Sequence, residues 1–553
     1  MMVSLPRSSS QNRYMKPLPA ETVFKLPSPL PTWPPGDGFA RGAIDLGGLI
    51  VCQISSFTKV WSALQGGPGN SGATFFEPSQ LPEEFSVLGH YAQPNNKQLF
   101  GWVLAGKDAT TDSSHSALKL PIDYGLVWSS NALKIKQDSH GYIWLPIPPD
   151  GYKAIGYLVT NSPLKPSLDK IRCVRSDFTD ICQKHKWIWG PKKKLNPKKL
   201  NVYSLTPVHR GIKELAVPTG TFLVQDNEND STPQALACLK NANANYLSSM
   251  PNLNQIQALV QAYSPYIYFH PSEKYFPSSV TWFFKNGAKL YRLGEEPNPV
   301  PIEPSGSNLP QGGANDGTFW LDLPADRAAK SHGKSGDLHE AKVYLHIKPM
   351  LGATFTDIAI WLFFPFNGPG KAKIWGIVTF PLGKIGQHIG DWEHLTLRIS
   401  NFNGELRSVY LSQHSRGRWI SASELEFEDG NRPAIYASLH GHALFPRAGG
   451  RLQGKIGIGV GNDTSGSEMV MDTAERCVIV AAAYLGEAVA EPPWLNYCRK
   501  WGPKIRYFDC LGMRGALRKT RIPKEVFGEE GPVGPNMKGN WRGDETESKE
   551  DIV

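Results

Sequence analysis

The chain has 553 residues, 40% of them hydrophobic and 20% charged, with a formal net charge of +9. At about 100–200 residues per domain, that length holds two or three domains with cores of their own. The charge is a mild bias towards anionic partners that names none, and no apolar run reaches the ~18 residues of a membrane span.

Aromatic residues reach 11%, beside 54 glycines and 45 prolines, a mix that favours short strands over long helices. The expected class is therefore mainly β. The longest apolar candidate, Ile358 to Phe366, runs into Pro365-Phe366-Asn367, so no transmembrane segment is expected. The first residues, Met1 to Pro29, are rich in Ser, Pro and Lys and lack an apolar signal region. Seven cysteines occur without a Cys-x-x-Cys pair, which reads as reduced thiols in a cytoplasmic protein. Cys173 and Cys182 are close enough in sequence to bridge a loop.

Residues 1–35 read as a disordered lead that ends in the Pro-rich stretch Leu26 to Pro35. Residues 36–225 show short strand patterns, such as Gly48 to Ile54, Leu99 to Leu104 and Tyr124 to Trp128, separated by Gly, Pro and Asp turns. Leu81-Pro-Glu-Glu-Phe-Ser-Val-Leu-Gly-His-Tyr91 aligns with Pro148-Pro-Asp-Gly-Tyr-Lys-Ala-Ile-Gly-Tyr-Leu158. One supersecondary unit used more than once accounts for the match, and a degraded third copy is placed near Gly38-Phe39. A β-prism-like domain fits this repeat, with an ordinary sandwich as the alternative.

Residues 226–250 read as a linker. Leu253, Ile256, Leu259, Val260 and Tyr263 then recur at helical spacing, with Asn252 as cap and Pro265 as stop. Residues 251–523 return to strands, including Val343 to Ile347, Asp357 to Phe364, Asp391 to Ile399, Ser408 to Leu411, Ala434 to Leu439 and Val478 to Ala483, and are expected to form an antiparallel β-sandwich with a few short helices. Residues 524–553 read as an irregular tail with a frayed acidic end, Asp544 to Asp551.

The segment with most chemistry is Asp391-Trp392-Glu393-His394. Side chains alternate along a strand, so Asp391 and Glu393 share a face with Leu395, Leu397 and Ile399. Two carboxylates ~6–7 Å apart in a partly dry site repel and need a cation or a shared proton. A hard ion, Mg²⁺ or Ca²⁺, would satisfy both; a turn cap and an Arg partner would do so without a metal. His388 precedes the strand, and His440 and His442 form a His-x-His pair, which completes the candidate ligand set. His394 and His414 are the candidates for moving protons. Glu273 and His270, in Tyr268-Phe-His-Pro-Ser-Glu273, are placed at the same rim. In the first domain Lys184, Lys186, Lys192, Lys193 and Lys194 surround Trp187 and Trp189. Lysine with tryptophan suits an anionic membrane surface; a solvated loop with both indoles turned inward is the alternative.

Several strings resemble the plant vacuolar protein sorting-associated protein 62 family over nearly the whole chain. They include Leu30-Pro-Thr-Trp-Pro-Pro-Gly-Asp-Gly-Phe39, Gly72-Ala-Thr-Phe-Phe-Glu-Pro78, Leu345-His-Ile-Lys-Pro-Met-Leu-Gly-Ala-Thr-Phe-Thr-Asp357 and Gly390-Asp-Trp-Glu-His394. That resemblance implies a trafficking role, peripheral to an endosomal or vacuolar membrane. Gly386-Gln-His-Ile-Gly-Asp-Trp-Glu393 is also similar to the Gly-His-Arg-His-Asp-Trp-Glu heptad of necrosis- and ethylene-inducing toxin-like proteins. This second likeness implies a β-sandwich with a metal at the heptad that engages sugar headgroups, with Gly390 standing where the heptad has its second histidine. The function expected is recognition of a lipid or glycan headgroup, with no nucleic-acid partner. A metal-dependent enzyme built on the same cluster and a structural adaptor without a site are the alternatives.

Overall fold

A computed structural model of the chain describes residues 18–111, 115–191, 200–225, 235–374, 378–414, 416–455, 458–506, 528–529 and 531–547. The mainly-β class holds, with short strands throughout and three α-helices among the described residues.

The first domain is three copies of one six-strand unit. The first copy runs Leu49–Ile54, Phe57–Ala63, Ala73–Pro78, Ser86–Val87, Tyr91–Pro94 and Val103–Asp108. The second runs Leu118–Lys119, Asp123–Ser129, Tyr142–Ile147, Tyr152–Lys153, Leu158–Thr160 and Cys173–Arg175. The third runs Thr179–Asp180, Cys182–Trp189, Asn201–Pro207, Ala216–Val217, Phe222–Gln225 and Cys238–Lys240. In every copy the second, third and fifth strands form one small sheet, and the first, sixth and fourth form another. The three-fold character of a prism is present, divided over six sheets.

The copies meet on three tryptophans. Trp61, Trp128 and Trp189 stand on the second strand of their respective copies, at most 1% exposed, with ring centroids 5.6–5.7 Å apart in every pair. In each case the residue just before the tryptophan, Val60, Val127 or Ile188, is skipped by the partner strand. A bulge of this kind re-aims the next side chain and sharpens the twist, here turning one indole per copy onto a common axis. Lower on that axis Gly89 and Gly156 touch. A Cβ on either would lie 2.7 Å from the other's Cα, so the glycine shared by the two matched sequence strings is a close-packing requirement.

Four boundaries read from the sequence need correction. The third copy lies at Ala216–Gln225, where Thr221 fills the gap beside the two glycines; Phe39 instead packs into the second domain. Cys238–Lys240 pairs with Thr179–Asp180 and Ala216–Val217, so that part of the expected linker belongs to the first domain. Residues 18–35 are not a disordered lead: Val23 bridges to Leu99, Ser28 bonds Asn431 and the Trp33 indole donates to the Asn403 carbonyl.

The second domain centres on a six-stranded sheet in the order Arg416–Ser421, Leu406–Gln413, His388–Ser400, Phe355–Asn367, Val343–Met350, Cys477–Ala481. One face packs Ile358, Ile360, Leu362, Leu395 and Leu397 against helix Leu253–Tyr263 and a sheet containing Tyr266–Tyr268 and Arg432–Ala437. That helix is closed at its start by the reciprocal Asn252 and Gln255 bonds of a capping box. The sandwich is not wholly antiparallel, since Tyr266–Tyr268 runs parallel to Arg432–Ala437 and Val343–Met350 parallel to Cys477–Ala481. The other face carries Trp361, Phe363 and Trp392 beneath helix Val280–Lys285, Trp494, Trp501 and Trp541. Burial on both faces explains why the central strands read as continuous apolar runs.

The fourth correction concerns the tail. Residues 531–547 form a strap across the sheet. Trp541 stacks on His346 at 3.9 Å, and the fully buried Lys348 ammonium donates to the Asn540 carbonyl at 2.9 Å. Arg398 holds Asp357 through two bonds and Asp544 through a third. Glu545 accepts from Thr396 at 2.6 Å and pairs with His394 at 3.0 Å. Glu547 reaches His185 of the first domain at 2.7 Å. Of the acidic end expected to fray, residues 544–547 are thus a clasp between the domains, and residues 548–551 lie outside the described residues. The six described cysteines are all free thiols, and Cys510 lies outside the described residues.

Two outcomes follow. Trp128→Ala opens the three-fold axis and should cost about 3–5 kcal/mol, as for other buried aromatics, measured by denaturant unfolding; a change below ~1 kcal/mol would mean the axis is not a core. Burial alone would raise the Glu545 pKa, but His394, Lys348 and Thr396 outweigh it and hold the carboxyl at about 2, below its ordinary 4.5. Such a group contributes stability that is full above about pH 4.5 and is lost as pH falls towards 2. Glu545→Gln, destabilised at neutral pH by about 3–5 kcal/mol, should therefore lose less stability than wild type across that acid window; parallel losses in thermal melts would assign the acid sensitivity elsewhere.

Candidate functional site

The His388–Ser400 strand pairs with Phe355–Asn367 along its length, but with Leu406–Gln413 only from Leu395 onwards. Its first residues therefore leave the sheet on one side, and a cavity of about 510 Å³ opens there. Asn367, His388, Asp391, Glu393, His414 and Lys538 line it, with Leu382, Ile385 and Val460 among the apolar wall. Alternation places Asp391 and Glu393 as the sequence implies, on the face that continues into Leu395, Leu397 and Ile399.

The carboxylates are buried and differently engaged. Asp391 Oδ2 lies 3.3 Å from His442 Nδ1, and His442 Nε2 lies 3.0 Å from the Tyr275 carbonyl. A carboxylate and a carbonyl both require a donor, so the geometry suits a doubly protonated imidazole. That ring stacks on Phe364 at 3.8 Å with an 8° interplanar angle. Burial would lower the His442 pKa, but Asp391 and Glu273 outweigh it and leave it raised. Burial likewise works against the Asp391 charge, but the His442 bond and His388 overcome it and keep its pKa low. Glu393 has less help. Burial and the Asp391 charge push it up to about 8, and it shares a hydrogen bond with the Ser412 hydroxyl. One carboxyl is thus ionised and the other neutral at neutral pH.

The remaining predicted residues divide between cavity and frame. His388 Nδ1 donates to the Gly390 carbonyl at 2.8 Å, and His414 Nε2 meets the Asn462 amide oxygen at 3.2 Å; both rings line the cavity. His440 is held by Glu273 through its backbone NH and its ring Nδ1, a pairing anticipated only in part by placing Glu273 at the rim. His394 lies on the opposite face of its strand, between Trp361 and Tyr410, bonded to Glu545 and Asn540. It borders a smaller cavity of about 290 Å³ that shares Glu393, His414 and Lys538 with the first. Sequence reasoning missed Lys538, Ser412, Asn367 and Asn462. Only Trp541, an isolated indole in a polar tail, signalled that the segment bearing Lys538 is anchored.

Backbone conformation marks the same place. His414, His440 and His442 all have positive φ, at 59°, 66° and 55°, a conformation costly for residues with a Cβ and concentrated at functional sites. Gly390 has φ 66°, and a Cβ there would lie 2.4 Å from the Trp501 carbonyl oxygen. No side chain fits, so the histidine of the toxin heptad has no room at this position.

The described part of the lysine segment of the first domain lies on the strand Cys182–Trp189. Trp189 is the buried axial indole, its Nε1 donating to the Gln65 carbonyl at 2.8 Å, and this corrects its assignment to a membrane-facing surface. Trp187 is half-buried. Lys184 bonds Gln225 and lies over the Tyr203 ring, and Lys186 pairs with Glu547 at 3.3 Å. Lys192, Lys193 and Lys194 lie outside the described residues. Among the described residues, no three His, Cys, Asp or Glu side chains are grouped to hold a metal ion.

The model of vacuolar protein sorting-associated protein 62 matches residues 20–545. No curated protein matches the sequence. Among solved structures, GNIP1Aa from Chromobacterium piscinae is 18% identical over 39% of this chain and 40% of its own, with a TM-score of 0.30. Necrosis and ethylene inducing protein 2 from the causal agent of cocoa's witches' broom disease is 16% identical over 34% of this chain and 67% of its own, with a TM-score of 0.19. NLPPya in complex with glucosamine is 16% identical over 37% and 68%, also at 0.19. The chain spans less than half the length of the first of these.

Gly390→Ala should cost about 1–3 kcal/mol through its positive φ alone, with more from the contact at Trp501. Calorimetric melts check this, and an unchanged melting temperature would show that the strand can shift to admit a side chain.

Proposed function

The chain belongs to the vacuolar protein sorting-associated protein 62 family, and from that premise we propose that it is a peripheral trafficking-related protein that recognises a hydroxyl-rich glycan or lipid headgroup in the Asp391–Glu393 cleft. The observation that carries this reading is the cleft itself. It is half open, within the ~300–1,000 Å³ of small-ligand sites, and walled by apolar side chains around a few polar groups, of which His414 stands on strained backbone. An ionised carboxylate accepts from sugar or inositol hydroxyls, and a neutral one both donates and accepts. The open mouth favours recognition over catalysis, which calls for exclusion of water. Among the described residues no helix is long and apolar enough to cross a membrane. The net charge of +9 would help such a protein settle on an anionic endosomal or vacuolar surface.

Soluble glycans and headgroup-bearing vesicles, offered separately to wild type and to Asp391→Asn/Glu393→Gln, test the reading and distinguish the two sources of headgroup. Binding to either that falls at least about tenfold in the variant, a loss of ~1.4 kcal/mol, is expected. Equal binding by both proteins, or none by wild type across both panels, would overturn it.

A further inference from the structure

A pair of buried carboxylates two residues apart on one strand needs positive charge nearby. The sequence suggests Mg²⁺ or Ca²⁺, yet the donor set does not fit a metal cage. Asp391 is bonded to His442, Glu393 to Ser412 and His440 to Glu273, and no three-ligand group is present among the described residues.

The strap supplies a cation of another kind. Lys538 sits between the turns Pro535–Met537 and Gly539–Trp541, and its ammonium donates to the Trp392 carbonyl, which lies between the two carboxylates in sequence. It lines both cavities together with Glu393 and His414. Its position is fixed from both sides. Trp541 is wedged against His346, and the Asn540 carbonyl is held by Lys348. Burial leaves the Lys538 pKa below its ordinary value, and Glu393, Asp391 and Glu545 offset only part of that.

We infer that the Lys538 ammonium, together with the His442 imidazolium that bonds Asp391, supplies the positive charge of the Asp391–Glu393 site in place of a divalent metal, so that the cleft is complete without one. A fixed ammonium at the cavity wall repels an incoming Mg²⁺ or Ca²⁺ and leaves the carboxyls to hydrogen-bond a ligand. The inference stands whether or not a headgroup is the ligand, since it concerns the charge balance of the cleft alone.

A thermal-melt cycle tests it. Wild type, Lys538→Met, Asp391→Asn/Glu393→Gln and the triple variant are melted at neutral pH with chelator, Mg²⁺ or Ca²⁺. Wild type should not respond to metal. Lys538→Met should melt lower in chelator, with the loss much reduced in the carboxamide background, because the Asp391 charge and the Glu393 carboxyl that face Lys538 are gone there. Either metal should raise the melting temperature of Lys538→Met but not that of the triple variant. If Lys538→Met fails to fold, Lys538→Arg, which keeps the charge, should fold and remain indifferent to metal. A wild-type response equal to that of Lys538→Met would overturn the inference, as would an identical loss in both backgrounds, which would mark Lys538 as packing only. Lack of metal rescue in Lys538→Met would overturn it too.

Discussion

The structure depends most on one ladder. Phe355–Asn367 and His388–Ser400 pair without a bulge from Phe355 opposite Ser400 to Phe364 opposite Asp391. Long paired strands with both faces covered can be apolar throughout, and Ile358, Ile360, Leu362, Leu395 and Leu397 fill one side while Trp361, Phe363 and Trp392 fill the other. Where the third strand of the sheet stops pairing, near Leu395, the ladder loses a neighbour. Polar side chains take over at that point, and the cleft is the gap so formed. Core and site are two ends of one strand.

The outer face of the same ladder carries charge further along. Lys348, Asp357 and Arg398 are buried there and would be costly alone. The strap provides their partners in Asn540, Asp544 and Glu545, so the segment that neutralises the sheet also brings Lys538 to the cleft. Glu547 continues to His185 and Lys186 of the first domain, and Gly543 bridges to Gly211 through backbone, so the strap joins the two units by side chains and main chain together.

Much of this was legible in the sequence where a local pattern has a local cause. The alternation from Asp391 to Ile399 placed both carboxylates on the correct face, the Asn252 cap and Pro265 bounded the helix, and one pair of repeats was visible because Gly89 and Gly156 must touch. The third repeat escaped because Thr221 occupies the shared space in place of a glycine, which erases the most recognisable letter of the motif. The strap escaped for another reason. Its acidic residues resemble a solvated tail, and only their partners, more than a hundred residues earlier in the chain, make them a clasp. Trp189 was misplaced because a lysine and tryptophan composition does not say which way a side chain turns, and the bulge at Ile188 that aims this indole inward leaves no mark in composition.

The strap also fixes an order of events during synthesis. Residues 531–547 leave the ribosome only after the sheet they cover has emerged, and domains generally begin to fold from the N-terminus as they appear. Until then Trp361 and His346 lack the Trp541 cover, Arg398 and Lys348 lack carboxylates from the strap, and the two domains lack the Glu547 link. The nascent second domain thus passes through an interval in which an aromatic, positively charged face is open to solvent.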